Sequence, residues 1–245
     1  MDIGQSVTYI FDDDDWPSKV GLGALVGMIP VLSFAAVGYE AQVARNVARG
    51  DPRPLPTWDE LGRFFVDGFW LSLARLIYSL PALALFGLPL ALIFPLLATA
   101  ETEQQVDARF PFIFLVCGTA FVGALFFSLI IGIISPAITA QYVRRGTFAA
   151  CFDLGAIARF MSQNLAAYFT MWAGTVVIGL LVSSVLGAVG TFLNIIPCFG
   201  ALLSWPLFGA GIFITLLVMG HLVGQLLRAD EARAVPGKLL PEAGL

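Results

Sequence analysis

Hydrophobic and polar positions along this chain segregate into long blocks, not into the short period of a half-buried soluble helix. Four blocks lack Asp, Glu, Lys, Arg and His altogether: Val20–Tyr39, Leu76–Ala100, Phe110–Val143 and Phe160–Gly220. An uncharged run of about 18 residues already reads as membrane-spanning, and about 20 residues of helix cross the hydrocarbon core. The last block is 61 residues long and must hold two crossings. Its break falls near Asn194–Gly200, where a polar Asn, Pro197 and Gly200 interrupt the apolar run. The pattern predicts an all-α integral membrane helical bundle of about five transmembrane helices, over 20–39, 81–99, 111–135, 165–192 and 198–220. These form one transmembrane domain over 1–228, followed by a flexible cytoplasmic tail over 229–245. Pro30, Pro136 and Pro206 are expected to kink their spans.

The polar segments between blocks carry their own signals. Gly50–Pro56 holds three prolines and is read as an extended strap. Thr57-Trp58-Asp59-Glu60 then has the spacing of a capping box, predicting a helix over 57–78. Its apolar face would carry Trp58, Leu61, Phe65 and Phe69, which suits an amphipathic helix in the plane of the interface. The alternative is that its end simply lengthens the second span. A second surface helix is predicted over 154–163, capped by Asp153. Trp16, Trp58, Phe65 and Phe69 are the candidate interface anchors. Ala41-Gln42 with Arg49-Gly50 parallels Ala140-Gln141 with Arg145-Gly146, a weak two-fold internal repeat.

Charge adds orientation. Of the 13 Lys and Arg, only Lys19 and Arg109 fall on the N-terminal side of a five-span chain; the other 11 fall opposite. Short loops rich in Lys and Arg stay cytoplasmic, so the reading is a multi-pass plasma-membrane protein with its N-terminus outside and C-terminus inside. The composition, 58% hydrophobic and 12% charged, excludes an ordinary soluble domain, in which about a quarter of residues are charged. Nothing in it points to nucleic acid. The three cysteines lack metal-ligand or redox spacing and are expected as free thiols.

Candidate chemistry is sparse. Ionisable groups inside a bilayer mark functional sites by default, and here they stand only at span ends. Glu40, Arg75, Tyr78, Gln141, His221 and Gln225 form a candidate polar cluster near the cytoplasmic interface, suited to an anionic headgroup. The competing reading is that each marks where its helix leaves the hydrocarbon. No nucleophile, metal or nucleotide motif is present, so no enzyme activity, metal or cofactor is expected.

The residues Phe11…Asp15-Trp16…Lys19, Pro30…Gly38-Tyr39, Leu55-Pro56…Trp58…Gly68…Tyr78…Pro81, and Arg145–Asp153 with Asn164, carry a resemblance. They resemble a prokaryotic family of polytopic membrane proteins catalogued as a numbered domain of unknown function (four thousand and thirteen). The resemblance implies a membrane location and brings no activity or catalytic residues. Similarly built membrane domains, of the Yip1 type or beside glycerophosphodiesterases, imply membrane organisation or lipid handling by analogy. The expectation is a non-enzymatic membrane-organising, lipid-interacting or partner-scaffolding protein. Its partners would be membrane lipids, and a membrane-protein partner or a second copy. The alternative is a transport subunit or permease for a small uncharged solute, drawing on Asn194, Gln141 and Gln225.

Overall fold

The structure is a computed structural model that describes residues 1–99, 102–196 and 199–234. It is all-helical: α1 (Gln5–Phe11), α2 (Trp16–Met28), α3 (Ser33–Arg49), α4 (Leu61–Ala98), α5 (Glu103–Arg145), α6 (Leu154–Gln163), α7 (Leu165–Leu193) and α8 (Phe199–Ala234). Four stretches are long and apolar enough to cross a membrane: Trp58–Ala98, Glu103–Arg145, Leu165–Leu193 and Ser204–Arg233. The chain is a membrane helical bundle. It divides into two compact units, Met1–Ser72 with the chain from Pro136 onward, and Leu73–Ser135.

The first unit is organised around α8. Phe213 covers Gly23 of α2, and Gly209 lies against the carbonyl of Ala24 and the side chain of Met28. Further along, Gly220 meets the backbone of Glu40, and Gly224 meets Ala44 and Val47 of α3. Numbers on α8 fall as α2 advances and rise as α3 advances, so the two helices run in opposite directions along it. Gly27 and Ala36 stand face to face, and Lys19 and Tyr39 share Trp58. Residues 16–49 are therefore a helical hairpin. The span expected over 20–39 is not one helix, and it returns towards the end from which it started.

Local chemistry accounts for the turn. Pro30 disfavours helical backbone in the preceding residue, and Ile29 is extended at φ −88° and ψ 115°. Ser33 closes the turn: its N–H donates to the Ile29 carbonyl at 2.8 Å, and its Oγ to the Pro30 carbonyl at 2.7 Å. The tip residues Ile29 and Val31 remain exposed. At 13 residues α2 is about 20 Å long and at 17 residues α3 is about 25 Å, both short of a hydrocarbon core of about 30 Å.

Other boundaries also differ from the pattern. The helix expected over 57–78 is a 3-10 turn, Trp58–Glu60, running into α4, which continues without interruption to Ala98 through Pro81, Pro89 and Pro95. Each proline deletes one backbone hydrogen bond, and the helix absorbs the loss. The face of α4 that packs within the protein carries Phe64, Gly68 and Leu71, while Leu61 and Phe69 are exposed. Gly68 matters because its backbone crosses that of α3 too closely for a side chain. An added Cβ would stand 1.6 Å from the Phe34 carbonyl oxygen, and one on Gly38 would stand 1.8 Å from that of Phe64. α5 and α8 likewise run through Pro136 and Pro206. The tail expected from 229 is helical through Ala234, and the rest of it lies outside the described residues. So do Pro197 and Cys198; Cys117 and Cys151 are free thiols.

Trp58 is not a surface anchor. It stacks on Tyr39 at 4.6 Å, lies against Phe64 and Phe213, and donates from Nε1 to the Lys19 carbonyl at 3.0 Å. Trp16 is half-buried against Phe11, and Phe65 and Phe69 flank Phe34. The second unit is the apolar pair formed by Leu73–Ala98 of α4 and Glu103–Ser135 of α5, with large side chains such as Phe94, Phe114 and Phe126 exposed.

Candidate functional site: the polar end of the first unit

Three charged knots tie the helices of the first unit at the end where α3 finishes. Asp67 accepts from Arg45 at 2.5 Å and from the Tyr142 hydroxyl at 2.8 Å, joining α4 to α3 and α5. Asp230 accepts from Arg144 and, at 2.8 Å, from the Asn164 amide, joining α8 to α5 and the start of α7. Gln42 accepts from Arg63 at 3.0 Å and donates to Asn46, whose own amide donates to the Pro54 carbonyl at 2.9 Å. That last chain holds the strap against α3. Gly50 and Gly146, each just after an arginine that ends its helix, take the left-handed conformation, with φ of 82° and 64°.

Asp153 caps α6 as expected, its Oδ1 accepting from the Ala156 N–H at 2.9 Å while Oδ2 pairs with Arg145 at 2.8 Å. The backbone bond foremost, and then Arg145, hold its carboxyl below the ordinary range. Ile157 and Phe160 form the buried face of α6, whereas Leu154 is exposed.

The N-terminal segment packs at this same end. Asp13 pairs with Lys19 at 2.7 Å, and Asp14 with Arg53 of the strap at 3.4 Å. The Asp2 N–H donates to Gln225 Oε1 at 2.8 Å, and Gln225 Nε2 donates back to the Asp2 carbonyl at 3.1 Å. Tyr9 stacks on His221 with ring centroids 4.2 Å apart and donates to the Leu217 carbonyl at 3.0 Å. Burial pushes the Tyr9 phenol well above its ordinary pKa. Between α1, the strap and α8 lies a cavity of about 250 Å³, lined by residues that include Tyr9, Asp12, Asp51, His221, Gln225 and Arg228.

Of the six polar candidates, His221 and Gln225 meet directly, Gln225 Nε2 lying 3.3 Å from His221 Nδ1. Glu40 is fully buried one position along the packing seam, its backbone against Gly220, and it accepts from Thr139 at 3.4 Å. Gln141 reaches the Ala156 carbonyl at 3.5 Å and belongs to the α5–α6 junction. Arg75 and Tyr78 lie on α4 within the second unit, where the Arg75 carbonyl accepts from Ser79. Asp67, Tyr142, Asp230 and Tyr9 were not among the site candidates read from the sequence. The signal for Tyr142 was its place between Gln141 and Arg144 at the end of an apolar block; Tyr9, off the face that Ile3, Val7, Ile10 and Phe11 share, gave none. Among the described residues no group of three or more His, Cys, Asp or Glu is placed to hold a metal ion.

An all-helical membrane bundle with buried charged and amide side chains tying helices together at one end of its first unit is the class of protein these features define. The chain belongs to the family described as "Protein of unknown function (DUF4013)", whose model matches residues 21–195. No curated protein and no solved structure matches it.

Proposed function

We propose that the protein is a non-enzymatic integral membrane protein that organises lipid, or partner proteins, from the polar end of its first unit. The observation that carries this reading is the α2–α3 hairpin, whose two ends both lie at that end while its tip, Ile29–Val31, is apolar and exposed. Exposed irregular backbone is costly in hydrocarbon, and Ser33 relieves part of that cost by bonding to the Ile29 and Pro30 carbonyls. A hairpin of this depth enters the bilayer from one side without crossing it, and so displaces lipid unequally between the leaflets. On this reading both termini are cytoplasmic, in place of the N-out arrangement that five through-spans imply. Lys19 then joins the arginines inside, leaving Arg109 as the one basic residue of the outward side, which strengthens the charge asymmetry.

Two measurements test it. In a cysteine-free background, a membrane-impermeant thiol reagent on intact cells should label Gln105→Cys and spare Gln5→Cys and Asp51→Cys until the membrane is opened. Labelling of Gln5→Cys from outside would overturn the orientation. Val31→Asp, at the exposed tip, should reduce co-purifying lipid and partner protein several-fold while the chain still folds. Unchanged recovery of both would overturn the organising role.

A permease for a small uncharged solute is the second reading. It draws on a groove of about 510 Å³ between α7 and α8, whose lining includes Ser183, Thr191, Asn194 and Ser204. Solute flux into proteoliposomes, abolished by Asn194→Leu, would favour it.

A further inference from the structure

The cavity beneath the strap has a polarity that hydrogen-bond accounting makes explicit. Gln225 bonds reciprocally to Asp2, with Oε1 taking the backbone N–H and Nε2 giving to the carbonyl. That pairing fixes which end of the amide is which. Gln225 Nε2 is then the donor towards His221 Nδ1, so Nδ1 is the acceptor and the neutral ring carries its proton on Nε2. Tyr9 holds the ring in place by stacking and is itself anchored on Leu217. His221 is 4% exposed and lines the cavity, and among the described residues nothing accepts its Nε2–H.

Two opposite charges complete the lining. The Arg228 guanidinium lies over the left-handed Gly50, 3.1 Å from where a Cβ would be, and has no ion-pair partner among the described residues. Across from α8 stand Asp12 on the α1 side, likewise without an ion pair among the described residues, and Asp51 on the strap side. Among the described residues Asp51 has only the distant Arg49, at 3.7 Å. The lining thus offers a cation, a neutral N–H donor and two carboxylates. An anion alone would face Asp12 and Asp51, and a cation alone would face Arg228. A short zwitterion satisfies both. At about 250 Å³ the space is below the roughly 300 Å³ of the smallest drug-type pockets, and suits a headgroup-sized ligand.

We propose that this cavity binds a phosphoethanolamine group, with its phosphate on Arg228 and His221 Nε2–H and its ammonium on Asp12 and Asp51. Arginine and an imidazole N–H are apt phosphate donors, and paired carboxylates suit a primary ammonium. The proposal deepens the lipid-interacting reading above and rests on it for the lipid as source.

The test uses the full chain purified in detergent, with binding read by thermal shift and by native mass spectrometry. The probes are phosphatidylethanolamine, phosphatidylglycerol, free phosphoethanolamine and inorganic phosphate. Phosphatidylethanolamine should bind in preference to phosphatidylglycerol. Arg228→Gln and Asp12→Asn should each weaken it about tenfold, since one phosphate or ammonium contact is lost. Both residues are exposed, so neither change threatens the fold. His221→Phe, which keeps the stack on Tyr9, should weaken it as well. Tight binding of free phosphoethanolamine with the same variant pattern supports the site and assigns a soluble source, whereas binding of the lipid alone supports the site and assigns the bilayer. Equal binding of phosphatidylglycerol, indifference to Asp12→Asn, or binding of inorganic phosphate as tight as either zwitterion would overturn the proposal. Lipid that co-purifies with all variants alike would overturn it too, while leaving the organising role standing.

Discussion

Thr139 donates to Glu40 across 3.4 Å, and the two residues hold matching places in the internal repeat. Glu40 precedes Ala41-Gln42, and Thr139 precedes Ala140-Gln141. Both residues are fully buried, and their contact ties α3 to the last turns of α5. Thr139→Val keeps the shape and removes the donor, so it should lower stability by about 1 kcal/mol in detergent denaturation. Thr139→Ser should cost less, because it keeps the hydroxyl.

The crossing of α3 and α4 allows no side chain at its centre. Gly38→Ala or Gly68→Ala would place a Cβ within 2 Å of a backbone carbonyl, which neither helix can move aside cheaply. Each should cost about 3 kcal/mol or more and lower Tm sharply. Gly62→Ala is the control: an added Cβ there meets nothing within 4 Å and should be neutral or stabilising by about 0.5–1 kcal/mol.

Asp67 should matter more than either of its partners. Asp67→Ala leaves Arg45, whose side chain is only 17% exposed, as a poorly compensated charge. The expected cost is about 2–3 kcal/mol, discounted from the fully buried case for that residual exposure. Tyr142→Phe removes one hydrogen bond and should cost about 1 kcal/mol. A double-mutant cycle between Arg45→Met and Asp67→Leu should return part of the loss.

The cap of α6 should be visible as a function of pH. The folded Asp153 carboxyl titrates below its ordinary value of about 3.8, so its stabilisation is present above that value. It should disappear as pH falls through the depressed folded value. Asp153→Ala should therefore lower Tm at neutral pH, and the gap from the parent chain should close in strong acid. A gap of unchanged size in strong acid would count against the carboxylate as the cause.

The long helices were legible because charge is expelled from hydrocarbon. The expected 165–192 and the observed Leu165–Leu193 differ by one residue, since the polar Asn164 and Asn194 flank the apolar stretch between them. The hairpin was hidden because an uncharged run reports how many residues avoid water and not which way they travel. Val20–Tyr39 has the length of one crossing, and Pro30 reads equally as a kink or a reversal. What decides is the pair of surfaces that α8 offers, Gly209 to α2 and Gly220 with Gly224 to α3, almost 200 residues away. The polar site divided in the same way. Glu40, Gln141, His221 and Gln225 were legible as polar groups at the ends of apolar blocks. Asp67 was not, because an aspartate in a charged stretch of sequence looks solvated until its tertiary partners are known.

Order of synthesis gives the hairpin a further consequence. Its seat on α8 leaves the ribosome about 160 residues after α3, so α2 and α3 emerge long before that surface exists. Until then the nascent segment must wait at the membrane, held by lipid or by an insertion factor. A chain stopped after residue 195 would retain the whole stretch that defines its family and lack the helix against which its first fifth comes to rest.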